Sequence, residues 1–269
     1  MALALCLLAP AAASAVSATP AANAGTPVTF PNRIADLSPD GKSMAAYDAS
    51  NKLCVYDVAT QKQRACADLK AKKIALRSDD IVWSPDSTKI AFAERAFEYL
   101  IDGDLWVMDA ATGRLTDLTD DGYQGTFFPF GKEKDALKGK TVFEDVLPAW
   151  SPDSSKIAFS RSPFVNGEQA GNELAVIPAA GGAVTIVTKP SAEVGGVLYW
   201  GLAWTPDGGS IAYSYVGVDP SDPQGGLWIV NSAGGTPHRL LSTDLKLGRP
   251  IVLAINATGA TALILYIDA

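Results

Sequence analysis

Short apolar segments alternate with polar turn sequences along most of this chain. A Ser/Thr-Pro-Asp triplet follows an apolar segment four times, at residues 38–40, 84–86, 151–153 and 205–207, and a second apolar run follows each triplet. Proline fixes φ at the first turn position, and aspartate can hydrogen-bond back to the turn backbone. We therefore interpret Asp40, Asp86, Asp153 and Asp207 as structural turn residues.

Each triplet belongs to a longer repeat that contains four predicted strands. The third strand is aromatic or β-branched, as at 105–108 and 227–230, and a glycine-containing turn separates it from the fourth. Successive triplets begin 46, 67 and 54 residues apart, so the variation lies in the connecting loops. This repeat predicts an all-β fold, a β-propeller of four-stranded antiparallel blades.

The repeat count leaves the last unit incomplete. Four units are complete, and a partial fifth supplies only two strands, within 251–267. We expect the chain to be a truncated part of a longer protein, with further blades or a domain beyond Ala269.

The best-preserved unit, residues 83–119, resembles a known repeat. It contains the segments Trp83-Ser84-Pro85-Asp86, Lys89-Ile90-Ala91-Phe92 and Leu105-Trp106-Val107-Met108-Asp109. This pattern resembles the WD-like propeller repeat of TolB-type proteins, and the resemblance covers roughly residues 33–267. It implies a propeller but no particular activity, because such repeats occur in periplasmic TolB proteins, in the propellers of prolyl-oligopeptidase-type peptidases and in other exported proteins. Trp83, Trp150 and Trp204, which precede three of the triplets, are interpreted as blade-packing residues.

The N-terminal segment differs from the repeats in composition. The first 24 residues are uncharged and rich in alanine, and small-x-small sites such as Ala22-Asn23-Ala24 follow the apolar stretch. We interpret residues 1–28 as a signal peptide or a disordered Ala-rich leader, and residues 29–269 as the propeller. The first reading predicts an exported protein, periplasmic or extracellular. The apolar stretch is too short and too interrupted by proline to be a good membrane span. We expect no stable membrane insertion once a signal peptide is cleaved.

Two of the three cysteines lie in consecutive predicted strands. A turn near Thr60 would place Cys54 opposite Cys66 across a hairpin. In an exported protein this pair can oxidise to a disulfide. The alternative is two buried thiols at positions that are apolar in the other units.

Composition excludes several classes of function. The net charge of −7 argues against a nucleic-acid partner. The single histidine, His238, and the absence of a cysteine cluster argue against a zinc site, so no metal or cofactor is expected. No Gly-x-Ser-x-Gly sequence is present, and a hydrolase nucleophile elbow is therefore not predicted in this chain.

The longest predicted connections all fall at one end of the blades. They are the loops between the second and third strands at 95–103, 162–172 and 217–225, and the crossing at 120–146. We call this end the long-loop face. Loops on a rigid scaffold concentrate binding residues. Aromatic and charged residues in or next to these connections are the binding candidates: Arg95, Glu98, Tyr99, Asp102, Tyr123, Phe127, Phe128 and Arg161.

Two readings of these aromatic residues remain open. In the first they are exposed and recognise a partner, and in the second they fold inward as a small satellite core beneath the crossing. On the first reading the chain is an exported, non-enzymatic binding scaffold for a protein or glycan partner. The alternative function is the propeller part of a hydrolase, either a prolyl-oligopeptidase-type peptidase whose C-terminal domain is missing or a sugar-active propeller enzyme.

Overall fold

The computed structural model describes most of the predicted propeller. The described residues are 3–6, 34–47, 50–72, 74, 76, 81–94, 100–101, 103–123, 126–127, 135, 137–189, 198–216, 225–242, 249–256, 258–259 and 261–267. They form antiparallel β-sheets that follow one another along the chain. The predicted fold class, an all-β propeller-like array of four-stranded sheets, is confirmed.

Each four-stranded sheet, or blade, has its strands A to D in chain order. The first strand of the chain is β1 (Leu3–Cys6). Blade 1 contains β2 (Ile34–Leu37), β3 (Ser43–Tyr47), β4 (Lys52–Asp57) and β5 (Gln63–Asp68), and a 3-10 turn follows at Lys70–Lys72. Blade 2 contains β6 (Val82–Trp83), β7 (Lys89–Ala93), β9 (Leu105–Asp109) and β10 (Leu115–Asp117). A separate two-stranded sheet pairs β8 (Leu100–Ile101) with β11 (Thr126–Phe127).

The remaining strands continue the same order. Blade 3 contains β12 (Thr141–Trp150), β13 (Lys156–Val165), β15 (Glu173–Pro178) and β16 (Thr185–Thr188), with the short β14 (Glu168–Gln169) paired to β13. Blade 4 contains β17 (Leu198–Trp204), β18 (Ser210–Val216), β19 (Gly226–Asn231) and β20 (His238–Ser242). A fifth sheet contains β21 (Arg249–Ile255) and β22 (Ala262–Ile267), and β1 pairs antiparallel with β22.

Blade 3 differs from the sequence prediction at its long-loop end. The crossing was predicted to reach residue 146 and the next loop to begin at residue 162. Instead β12 begins at Thr141 and β13 continues to Val165, and the two strands pair along this extension. The extended pairing satisfies backbone groups that a loop would leave to water.

The Pro-Asp turns repeat one hydrogen-bond pattern. In blade 3 the Ser151 hydroxyl donates to Asp153 Oδ1 at 2.6 Å, and the Ser155 N–H donates to the same oxygen at 3.0 Å. The Lys156 N–H, which begins strand B, donates back to Ser151 Oγ at 2.9 Å. The hydroxyl-to-carboxylate bond recurs at 2.6 Å in the other three triplets, as Ser38–Asp40, Ser84–Asp86 and Thr205–Asp207. The aspartates therefore close the turns, as the triplet predicts.

The tryptophans link each blade to the one before it. The indole N–H of Trp83 donates to the Asp36 carbonyl at 3.1 Å, and that of Trp150 donates to the Val82 carbonyl at 2.9 Å. Trp204 does the same to the Ala149 carbonyl at 2.9 Å. The rings are also buried in the apolar layers between consecutive blades. Each tryptophan therefore contributes both apolar packing and a hydrogen bond to the contact between blades.

Close approach of the inner strands depends on a glycine in blade 4. Gly201 has a φ of +68° and lies at a register shift between β17 and β18. A Cβ at this position would collide with the Val252 carbonyl and the Ile251 side chain of the next sheet. The glycine therefore permits both the left-handed backbone and the contact between blade 4 and the fifth sheet.

The cysteines lie opposite each other on β4 and β5. The register pairs Cys54 with Cys66, their Cα atoms are 4.1 Å apart, and a disulfide joins them. The hairpin geometry expected from the sequence thus brings the two sulfur atoms together. In the described part of the chain, no helix has the length and apolar character needed to cross a membrane.

Candidate functional site at the long-loop face

The small β8–β11 sheet joins two of the predicted long connections. Phe127 pairs with Leu100, and Thr126 pairs with Ile101, so the crossing lies against the loop of blade 2. This pairing places the backbone of Phe127 beside the segment that follows Tyr99. For Phe127 only the backbone is described. Five further binding candidates lie outside the described residues: Arg95, Glu98, Tyr99, Asp102 and Phe128.

Tyr123 lies in a small apolar cluster beneath the crossing. The cluster is built on buried Leu137 and Val142, and Tyr123 and Phe164 pack against it. The Lys140 ammonium group lies 4.5 Å from the centre of the Tyr123 ring, within the range of a cation–π contact. For these two aromatic residues the structure shows the inward packing of the satellite-core reading.

Arg161 is engaged inside blade 3. Its Nε donates to Asp145 Oδ1 at 2.8 Å and its Nη2 donates to Asp145 Oδ2 at 2.6 Å, which is bidentate pairing. The guanidinium carbon also lies 4.3 Å from the centre of the Phe143 ring. Asp145 is fully buried and Arg161 is 8% exposed, so this guanidinium orders the end of the blade rather than reaching solvent.

A group of buried carboxyl groups lies at the same end of blade 2. Glu94 follows β7 and is 8% exposed, and Asp104 precedes β9 and is 7% exposed. The Trp106 indole N–H donates to Glu94 Oε1 at 2.9 Å. The Thr119 hydroxyl lies 3.2 Å from Asp104 Oδ1, accepts the Leu105 N–H at 2.9 Å and also interacts with Asp145. Thr119 therefore links the carboxyl groups of blade 2 to the ion pair of blade 3.

Burial controls the protonation of these carboxyl groups. Desolvation raises the pKa of Glu94 to about 7, although the Trp106 hydrogen bond opposes this rise. Desolvation, followed by the charges of Asp117 and Glu94, raises the pKa of Asp104 to about 8. Desolvation also raises the pKa of Asp117 to about 6. Burial raises the pKa of Asp145 as well, while the bidentate bonds from Arg161 act in the opposite direction.

These carboxyl groups were not singled out as binding candidates from the sequence. The available signal was strand alternation, because Asp104 and Trp106 fall on one face of a predicted strand. A charged residue on an apolar face is unusual unless it is paired or protonated. Asp117, Asp120 and Asp121 offer the oxygen ligands that calcium prefers, but they lack the full spacing of a calcium-binding loop, which favours a role as turn residues. Among the described residues, no group of three or more His, Cys, Asp or Glu side chains is arranged to hold a metal ion.

The single histidine lies away from this region. His238 begins β20 on the outer edge of blade 4, is exposed, and pairs in register with Ile229. Its position near the turn between strands C and D is at the opposite end of the blade from the long loops. The described geometry does not join His238 to the buried carboxyl groups.

One comparison with known proteins gives a match. Residues 37–163 match the family model described as the dipeptidyl peptidase IV N-terminal region, a propeller-type domain of the peptidase family. The match runs from the end of strand A of blade 1 through blade 2 into strand B of blade 3, and it includes Glu94, Asp104, Asp145 and Arg161. It supports a propeller-like family, and it does not select the TolB type that the repeat resembles. A comparison with curated proteins finds no match.

Proposed function

We propose that this chain is an exported β-propeller binding domain that recognises a protein or glycan partner through its long-loop face. The observation that carries the proposal is the β8–β11 sheet, which joins the loop of blade 2 to the crossing before blade 3. This pairing unites two connections that contain Tyr99, Phe127 and Phe128. Aromatic residues supply large contact area at low entropic cost when a rigid scaffold holds them.

An ion pair and an apolar cluster stabilise the scaffold next to these connections. The Asp145–Arg161 pair fixes the end of blade 3, and the Leu137–Val142 cluster fills the space under the crossing. Preorganisation of this kind lowers the entropic cost of binding. The Cys54–Cys66 disulfide supports export, because such bonds persist in oxidising compartments.

A second candidate function is the propeller part of a peptidase. The family match to the dipeptidyl peptidase IV N-terminal region favours it. On this reading the chemistry belongs to a separate hydrolase domain, and the long-loop face recognises peptide substrates or the partner domain. The intact mass of the mature protein from its own host distinguishes the two functions. A mass near that of residues 25–269 favours the independent binding domain, whereas a much larger mass favours the peptidase.

The binding proposal is tested with a triple Ala variant of Tyr99, Phe127 and Phe128. Wild-type and variant proteins are immobilised and exposed to a glycan array and to fractionated envelope proteins of the host. We expect retained ligands to lose at least tenfold in affinity in the variant, while its melting temperature stays within about 2 °C of the wild type. Equal retention by both proteins would overturn the proposal, and a large loss of melting temperature would favour the satellite-core reading.

The matched control is Leu240→Ala. Leu240 lies on the outer strand β20 of blade 4 and is 50% exposed, so the substitution removes exposed apolar surface outside the two connections that the β8–β11 sheet joins. The control should bind like the wild type. If it loses binding to the same extent, the interaction is general adhesion to apolar surface rather than recognition by the long-loop face.

A further inference from the structure

Three carboxyl groups share one face of blade 2. The Glu94 N–H donates to the Asp104 carbonyl at 2.9 Å, so the two residues lie opposite each other across β7 and β9. Asp117 pairs in register with Trp106, whose indole N–H bonds Glu94. Phe92 also pairs with Trp106, and side chains alternate along a strand. Glu94, Asp104 and Asp117 therefore project from the same face, the one that packs on blade 1.

This arrangement is unfavourable when the groups are charged. Like charges opposite each other on neighbouring strands destabilise a sheet. Glu94 and Asp104 are also more than nine-tenths buried, and burying an unpaired carboxylate is costly. A protonated carboxyl group avoids both penalties and gains a hydrogen-bond donor. The raised pKa values of all three groups agree with this expectation.

The surrounding charges do not neutralise the group. The adjoining segment after β10 contributes carboxylates, and β12 contributes two more. On β13, the Arg161 guanidinium gives its Nε and Nη2 bonds to Asp145. On the blade 1 side, the lysines of the 3-10 turn are exposed. The strands of blade 1, which pack on this face, also carry charged residues, all of them exposed or half-buried. In the described part of these neighbouring elements the charged residues are Asp120, Asp121, Glu144, Asp145, Lys156, Arg161, Asp36, Lys52, Asp57, Arg64, Asp68, Lys70 and Lys72.

We propose that Glu94, Asp104 and Asp117 form a proton-dependent latch, which holds the long-loop end of blade 2 against its neighbours when protonated and loosens it on ionisation. Thr119 connects these carboxyl groups to blade 3, because its hydroxyl contacts Asp104 and also interacts with Asp145 of blade 3. Loosening therefore affects both interfaces of blade 2. The latch needs no partner, so it stands apart from the proposed binding function.

The sign of the pH effect follows from the direction of the shifts. Each group binds its proton more tightly in the folded chain than in the unfolded chain. The stability that protonation contributes is complete below the unfolded carboxyl pKa of about 4. It is lost as the pH rises through the folded values of about 6, 7 and 8. The latch is therefore closed in mildly acidic solution and open in mildly alkaline solution.

The test compares the pH dependence of thermal unfolding in wild type and Asp104→Asn. Between pH 5.5 and 8.5 we expect the wild-type midpoint to fall by an amount on the order of 5 °C. The amide removes one titrating group and the repulsion it causes, so the fall should shrink by at least a third in the variant. Parallel curves for the two proteins would overturn the latch.

The control is Asp135→Asn, since Asp135 is an exposed carboxyl group of the crossing. It should leave the wild-type pH dependence unchanged, and an equal flattening by this variant would also overturn the proposal. Carbon-13 NMR of the wild-type carboxyl groups covers the case in which Asp104→Asn does not fold. At least two carboxyl resonances should titrate above pH 6, and titration of all of them below pH 5 would contradict the latch.

Discussion

The two ends of the blades use the same side chain in opposite ways. At the turn end, exposed aspartates accept hydrogen bonds from hydroxyl and backbone N–H groups. These bonds favour the charged form, and the Ser151 hydroxyl followed by the Ser155 N–H lowers the pKa of Asp153 to about 2. At the long-loop end, burial raises the pKa of Asp104 to about 8. The turn end therefore favours the charged carboxylate, whereas burial at the long-loop end favours the protonated form of Asp104.

This difference separates a local role from a tertiary role. The turn aspartate finds its partners within three residues of chain, so every copy of the triplet makes the same bonds. The long-loop carboxyl groups meet only because three strands place them side by side, and their environment depends on the neighbouring blades. The turn end therefore repeats one local arrangement, whereas the buried carboxyl groups depend on contacts between strands and between blades.

The largest expected effect comes from breaking the buried ion pair. Arg161→Ala leaves the fully buried Asp145 without its cation, and we expect the free energy of unfolding to fall by roughly 3–5 kcal/mol. Denaturant unfolding measures this loss. The double variant Arg161→Ala/Asp145→Asn removes the stranded charge and should recover part of the stability. A double variant less stable than Arg161→Ala would show that the charge is not the source of the loss.

The second test compares how the unfolding midpoint depends on pH at the acid end and at the alkaline end of the range. The lowered pKa of Asp153 contributes stability that is present above its unfolded value and is lost as the pH falls toward about 2. Asp153→Asn should therefore flatten only the acid limb of the unfolding midpoint against pH. Asp104→Asn should flatten only the limb above pH 6. If either substitution changes the other limb, the two ends are not independent.

Removing the turn carboxylate at neutral pH should have a moderate effect. Asp153→Ala loses the bonds from the Ser151 hydroxyl and from the Ser155 N–H. We expect the unfolding midpoint to fall by on the order of 3 °C, because each net hydrogen bond contributes little in an exposed turn. Asp207→Ala provides a second copy of the same turn and should behave alike. A markedly different result would mean that the copies are not equivalent.

The smallest expected effect concerns a serine in the turn of blade 2. Ser87 has a φ of +61° and accepts the Asp40 N–H at 3.1 Å, a contact that reaches from blade 1. Ser87→Gly loses this bond but relieves the left-handed backbone, so the two effects oppose each other. We expect the free energy of unfolding to change by less than about 0.5 kcal/mol. A loss above about 2 kcal/mol would show that contacts between turns are central to blade stacking.

The interior of the site could be predicted only in part. The sequence indicated which connections are long, and the β8–β11 pairing brings two of them together. It did not indicate that Arg161 lies beside Asp145, because 16 residues and a strand reversal separate them. It left open whether the loop aromatics fold inward, and the structure shows that Tyr123 and Phe164 pack on the same cluster. Contacts between strands depend on register, and the local sequence pattern does not predict the register of an extended pair such as β12–β13.

The repeat, the turn chemistry and the strand order follow from local sequence, because Pro, Gly and Asp act on the backbone within a few residues. The sequence also determined that Cys54 could face Cys66, since one short hairpin connects them. Which ionisable side chains are buried, which are paired and which carboxyl groups keep their protons depends on how the blades pack together. The physical reason is that solvation and cross-strand distance set the cost of a charge, and both arise only when the blades stack.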